Sequence, residues 1–157
     1  KMRMELFFKF LENPIFRSAF FSWFICQGIK SVIEIFRKRP HSAKEILLSL
    51  FWTTGGMPSS HSAVVSSLTT AIGFKVGLTS PVFIIALFYA FITVRDATGV
   101  RRAAGLQAKA INQIIQKLSA HIEIKINPVK EIHGHRTSEV ILGILIGFFI
   151  AVAFCTL

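Results

Sequence analysis

Apolar residues run along this chain in long blocks, broken by short clusters of charge, glycine and proline. Lys1 to Leu11 mixes charge with phenylalanine and predicts a short amphipathic helix at a membrane interface. Asn13-Pro14 marks the entry to a first spanning helix from about Ile15 to Phe36, in which Arg17 is placed to snorkel and Lys30 and Glu34 share a face near the far end. Arg37-Lys38-Arg39-Pro40 closes it. Ile46 to Trp52 is apolar but too short for a hydrocarbon core of about 30 Å, which predicts a re-entrant segment or one packed under the next loop. A second helix is expected from about Ser59 to Gly77, with Pro58 in its first turn and the small hydroxyl residues Ser66, Ser67, Thr69 and Thr70 suited to close helix contacts. The third span is Val82 to Val94. From Ala103 to Leu118 apolar positions recur at helical spacing with glutamine, asparagine and lysine between them, predicting an amphipathic helix outside or shallowly within the bilayer. Ala120 to Pro128 reads as an extended loop, and a last span runs from about Thr137 to Phe154, where Gly143 and Gly147 suit close packing.

These elements predict an all-α, polytopic membrane bundle in a single domain over residues 1–157, with about four spanning helices, a re-entrant segment and an amphipathic interfacial helix. Hydrophobic residues make up 52% of the 157, more than a soluble domain of this length carries. Sixteen phenylalanines against one tyrosine and two tryptophans fit lipid contact and helix packing rather than base stacking. The net charge of +10 therefore points to anionic lipid headgroups as partners and not to nucleic acid. Cys26 and Cys155 lie in apolar segments with no metal-like spacing, so neither a disulfide nor a metal is implied. The N-terminal stretch lacks the apolar core and cleavage site of a secretory signal, and the first span is expected to be retained.

Following the spans alternately, the boundary after Lys30, the start at His61, the exit at Arg95 and the start at His135 fall on one side. That side carries every basic residue except Lys1, Arg3, Lys9, Arg17 and Lys75, and a positive-inside bias makes it cytoplasmic. The candidate chemistry converges there. Gly55-Gly56-Met57-Pro58-Ser59-Ser60-His61-Ser62-Ala63 sets flexible backbone, two serines and an imidazole at a helix start, where free amides and the dipole favour phosphate; alone, it is equally an ordinary capped helix. His135 and Glu139 are four apart, so the carboxylate can hold one imidazole nitrogen and aim the other outward, although a surface ion pair has the same spacing.

Several separated motifs, GGMPSSHSA (55–63), RDATGVRRAAGLQA (95–108), INQ (111–113) and KEIHGHRTSEVILGILIG (130–147), with weaker matches at NPI and QGIK, occur in one order. Together they resemble the type 2 phosphatidic acid phosphatase superfamily, most closely its divergent branch of small bacterial and plant membrane proteins related to acid phosphatases and vanadium haloperoxidases. The superfamily pattern has a lysine separated by six residues from an Arg-Pro, then Pro-Ser-Gly-His, then Ser-Arg followed by a histidine and an aspartate. Here six residues separate Lys30 from Arg37, whereas the Arg-Pro is Arg39-Pro40; Ser60 stands in place of glycine and Glu139 in place of aspartate. Val129 occupies the arginine position six residues before His135, leaving Lys130 or the Arg101-Arg102 pair to supply that charge.

The resemblance implies metal-free and cofactor-free hydrolysis of a phosphomonoester through a phosphohistidine, on a phosphatidate-like or polyprenyl phosphate lipid in a bacterial inner membrane. His135 would attack phosphorus, Glu139 orient it and His61 protonate the leaving oxygen. Lys30, Arg37, Arg39, Ser59, Ser60, Arg101, Arg102 and Lys130 would hold phosphate, with Asp96 tethering an arginine or capping a turn. The alternatives are a non-catalytic lipid-binding or transport protein that keeps the anion site, and a structural membrane subunit. The small-residue faces at Ser66 to Thr70 and Gly143 to Gly147 suggest a homodimer.

Overall fold

Serine, proline and glycine punctuate the apolar blocks, and the helices begin and end where they stand. The computed structural model describes residues 2–38, 56–119, 127–129 and 136–157, apart from the side chains of residues 34, 37, 38 and 101, and in these the chain forms six helices with no strand. Helix α1 (Met2–Glu12) turns at Asn13 into α2 (Pro14–Lys38); Asn13 Oδ1 accepts the Ile15 N–H at 2.9 Å, and Pro14 opens the helix where no donor is required.

Helix α3 (Ser60–Val76) is capped by Ser59, whose backbone is extended and whose Oγ accepts the Ser62 N–H. Because Ser59 takes the cap, Pro58 lies before the helix and not within its first turn, following a cis Met57–Pro58 bond. Gly77, at φ +103°, ends α3 in a region that favours glycine. Ser80 caps α4 (Pro81–Thr98), which runs past Val94 until the Gly99 N–H donates to Arg95 O at 2.8 Å. Helices α5 (Val100–Ser119) and α6 (Thr137–Thr156) follow.

The distribution of residues is inverted relative to a protein folded in water. Small side chains, Ser18, Ser22, Cys26, Ser62, Ala63, Ser67 and Ala71, fill much of the interior beside Val65, Ile72 and Val140, while Val82, Ile84, Ile85, Phe88, Phe91, Ile92, Phe148 and Phe149 lie on the outside. Water would not support so continuous an apolar surface, whereas lipid would. Among the described residues, two stretches, within Pro81–Ser119 and at Thr137–Thr156, are long and apolar enough to cross a bilayer.

Helix α3 is the central element, packed on α6 most extensively and also on α2 and α4. Its contact with α6 is backbone to backbone: a Cβ on Gly143 would collide with the Ser59 carbonyl, and one on Gly147 with the Ala63 carbonyl. Ser66 Oγ donates to Ile144 O at 2.9 Å and Lys75 Nζ to Cys155 O at 3.1 Å, so α3 and α6 run parallel along their length. The small-residue faces that suggested a homodimer are thus occupied within one chain, since Thr69 Oγ1 also lies 3.1 Å from Ala86 O of α4. Helices α2 and α4 run the other way. Phe21, early in α2, stacks on Phe154, late in α6, at 5.1 Å.

Helix α5 has three distinct sides. Gly105, Ala108, Asn112 and Ile115 are screened, Val100, Ile111, Ile114 and Leu118 form an exposed apolar stripe interrupted by Gln107, and Arg102, Lys109, Gln113, Gln116 and Lys117 form an exposed polar one interrupted by Leu106. That division is what a helix lying at a bilayer surface requires. The segment Ile46 to Trp52 and most of Ala120 to Pro128 lie outside the described residues; residues 127–129 have no regular structure.

Candidate functional site

The parallel run of α3 and α6 sets their N-termini side by side, and the antiparallel α2 and α4 bring their C-terminal ends to the same end of the bundle. The Ser59 N–H donates to Glu139 O at 3.0 Å, fixing the first turn of α6 against the cap of α3. From α2, Lys30 reaches into this junction and its Nζ donates to Ser60 Oγ at 3.2 Å. Both residues are buried, at 5% and 4% exposure, and the Glu139 carboxylate lies within electrostatic reach of the ammonium. A buried lysine is strongly disfavoured without such compensation.

The two serines have different duties. Ser59 Oγ accepts from Ser62 N–H at 3.4 Å and from Ser62 Oγ at 3.0 Å, so Ser59 is a buried helix cap. Ser60 carries the contact to the cation. His61, one residue on, is exposed at the same helix start. His61 thus lies in the first turn of α3, where the helix amides and dipole favour an anion.

Glu139 also acts locally. Its Oε2 accepts the Arg136 N–H at 3.1 Å, closing the first turn of α6. Asp96 sits in the last turn of α4, at the same end of the bundle. Arg102 is exposed at the start of α5. His135, Lys130 and Arg39 lie outside the described residues, as do the side chains of Arg37 and Arg101.

Three residues, two of them within the QGIK and INQ motifs, gain a role only from the structure. Gln27 and Ser31 share the buried end of α2 with Lys30, at 6% and 3% exposure; their spacing of three and one from Lys30 was the available signal. Asn112 on α5 makes a two-sided clamp on Val129, donating from Nδ2 to Val129 O at 2.9 Å and accepting the Val129 N–H on Oδ1 at 2.8 Å. Its glutamine-rich neighbourhood gave no hint of that long-range pairing. Among the described residues, no group of three or more histidine, cysteine, aspartate or glutamate side chains could hold a metal.

A helical bundle with lipid-suited exterior and a polar, lysine-bearing interior at one end defines a membrane protein. Comparison with known proteins specifies it further: residues 11–150 match the model of the family described as the Divergent PAP2 family, and the chain belongs to that family. It is similar to an uncharacterized membrane protein, YuiD, of Bacillus subtilis (strain 168), with 42% identity over 113 residues, 65% of this chain and 72% of the relative. No solved structure matches.

Proposed function

We propose that the protein is an integral membrane phosphatase that removes the phosphate from a lipid phosphomonoester, phosphatidate-like or polyprenyl, at the cytoplasmic face of a bacterial inner membrane. In this reading α2, α3, α4 and α6 span the bilayer, the segment at Ile46 to Trp52 is re-entrant, and α5 lies at the surface among anionic headgroups. The lipid tail lies between helices and the phosphate meets the start of α3. The observation that carries the reading is the buried Lys30 ammonium against Ser60 at that helix start, with His61 exposed in the same helical turn.

The chemistry is in-line displacement without metal. Neutral His135 attacks phosphorus through one ring nitrogen while Glu139 holds the other, and protonated His61 gives its proton to the departing lipid oxygen. Water then attacks the phosphohistidine, His61 taking up the proton, and inorganic phosphate leaves. Lys30, the Ser60 amide, and the arginines at 37, 39, 101 and 102 stabilise the equatorial oxygens, each preorganised donor supplying about 3 kcal/mol. Phosphate release from phosphatidate in nanodiscs tests this. The wild-type protein turns over, and His135→Ala and His61→Ala do not.

A second reading has a specific observation behind it. Glu139 is engaged as the cap of α6, and Val129, at the position of an expected arginine, is held by its backbone to Asn112. Those local duties fit a protein that binds or moves a lipid phosphate without hydrolysing it. Lipid binding with no phosphate release by the wild-type protein would select that reading.

A further inference from the structure

One turn before Lys30, Gln27 is buried at 6% exposure, and among the described residues its Oε1 has no hydrogen-bond partner. Residues three apart on a helix share a side, so this unpartnered acceptor belongs to the same buried side of α2 as the Lys30 that meets Ser60. Buried acceptors are rarely left without a donor, and one placed beside a buried cation asks for a ligand that carries both negative charge and a proton to give. A singly protonated phosphate has both. Its ionised oxygens accept from Lys30 while its one P–OH donates to Gln27 Oε1. A phosphodiester, ionised at neutral pH, keeps no hydroxyl on phosphorus and would set a lone pair or an ester group against the amide oxygen.

We infer that Gln27 is a specificity-determining residue that accepts a hydrogen bond from the P–OH of a phosphate held by Lys30, selecting phosphomonoesters over diesters. This rests on the phosphate-binding reading above and adds to it a named acceptor and a rule of selection. The same chemistry fits a lipid headgroup and free orthophosphate, and the experiment separates them.

Binding is measured in a His135→Ala background, which prevents turnover, with Gln27 intact or changed by Gln27→Met. The probes are phosphatidylcholine nanodiscs containing phosphatidate, the same nanodiscs containing the anionic diester phosphatidylmethanol, and plain nanodiscs with inorganic phosphate. With Gln27 intact, phosphatidate binds about ten-fold or more tighter than phosphatidylmethanol, the effect of a hydrogen bond to a charged group. Gln27→Met brings the two within about two-fold, mainly by weakening phosphatidate. If orthophosphate alone shows the Gln27-dependent binding, the selection rule stands and the ligand is free phosphate. If the preference for phosphatidate survives Gln27→Met, the inference is overturned and the phosphatase reading is untouched. If no probe binds and the wild-type protein releases no phosphate, the phosphate-binding reading fails and takes the inference with it. Without ligand, Gln27→Met melts no lower than its parent, since an unpaired acceptor is replaced by an apolar side chain of similar length. A marked fall would mean Oε1 is satisfied within the fold and would also overturn the inference.

Discussion

Lys30 and Ser60, thirty residues apart, form a buried hydrogen bond of 3.2 Å that ties the cytoplasmic end of α2, in the proposed topology, to the first turn of α3. The pair can be separated into structural and chemical parts. Ser60→Ala leaves the ammonium buried without this partner and is expected to lower stability by about 1–3 kcal/mol, whereas removing both partners is close to neutral. A double-mutant cycle on Tm in detergent should therefore show the Lys30→Met, Ser60→Ala protein regaining most of the loss. Lys30→Met alone should reduce phosphate release by about 100-fold while retaining helix content.

Glu139 holds Arg136 N–H at 3.1 Å and also faces Lys30 electrostatically, and two substitutions divide those roles. Glu139→Gln keeps an amide oxygen for the cap but removes the charge. Glu139→Ala removes both and should cost about 1 kcal/mol more in stability, the ordinary worth of a helix cap. In the phosphatase reading both lose activity to a similar degree. If Glu139→Gln retains full turnover, the carboxylate is only a cap.

Much of the fold was legible because the apolar blocks and their punctuation are local signals. Pro14, Ser59, Ser80-Pro81 and Gly99 each stand at a helix boundary, and the alternation of spans put Lys30, His61 and Glu139 at one end. Pro58 misled because proline fits a first turn as well as the residue before a cap, and only the extended backbone of Ser59 distinguishes them. The small-residue faces predict close helix packing and suit a neighbouring helix or a second copy equally. Sequence spacing says that such faces pack closely, but not whether the partner is another chain or, as here, α3 against α6. Gln27 and Asn112 fall within the QGIK and INQ motifs but take no role from them for a related reason: a polar residue on an amphipathic or spanning helix is assigned to water or to an interface until the element opposite it is known.

Asn112 and Val129 make two complementary hydrogen bonds, at 2.9 and 2.8 Å, across seventeen residues. Asn112→Ala removes both, and exchange of the Val129 amide with deuterium should accelerate by about ten-fold, corresponding to one lost hydrogen bond. Asn112→Asp keeps the Oδ1 acceptor and should leave that amide protected while losing the bond to Val129 O. Equal exchange in all three proteins would show that the clamp does not persist in the membrane.

Three helical glycines provide the strongest contrast, because the space around them differs while the substitution is the same. A Cβ at Gly143 meets the Ser59 carbonyl and one at Gly147 the Ala63 carbonyl, both backbone groups that yield only if α3 and α6 separate. Gly143→Ala and Gly147→Ala should each lower stability by about 1–3 kcal/mol, the cost of overpacking. Gly143→Ala should also lower activity further, since Ser59 adjoins the Ser60 contact with Lys30. Gly28 on α2 has nothing within 4 Å of the same position. There the alanine gains helix propensity, and Gly28→Ala should raise stability by about 0.5–1 kcal/mol with activity unchanged. Melting the three variants in one detergent checks the ordering, and a Gly143→Ala protein as stable as Gly28→Ala would mean that α3 and α6 do not touch as described.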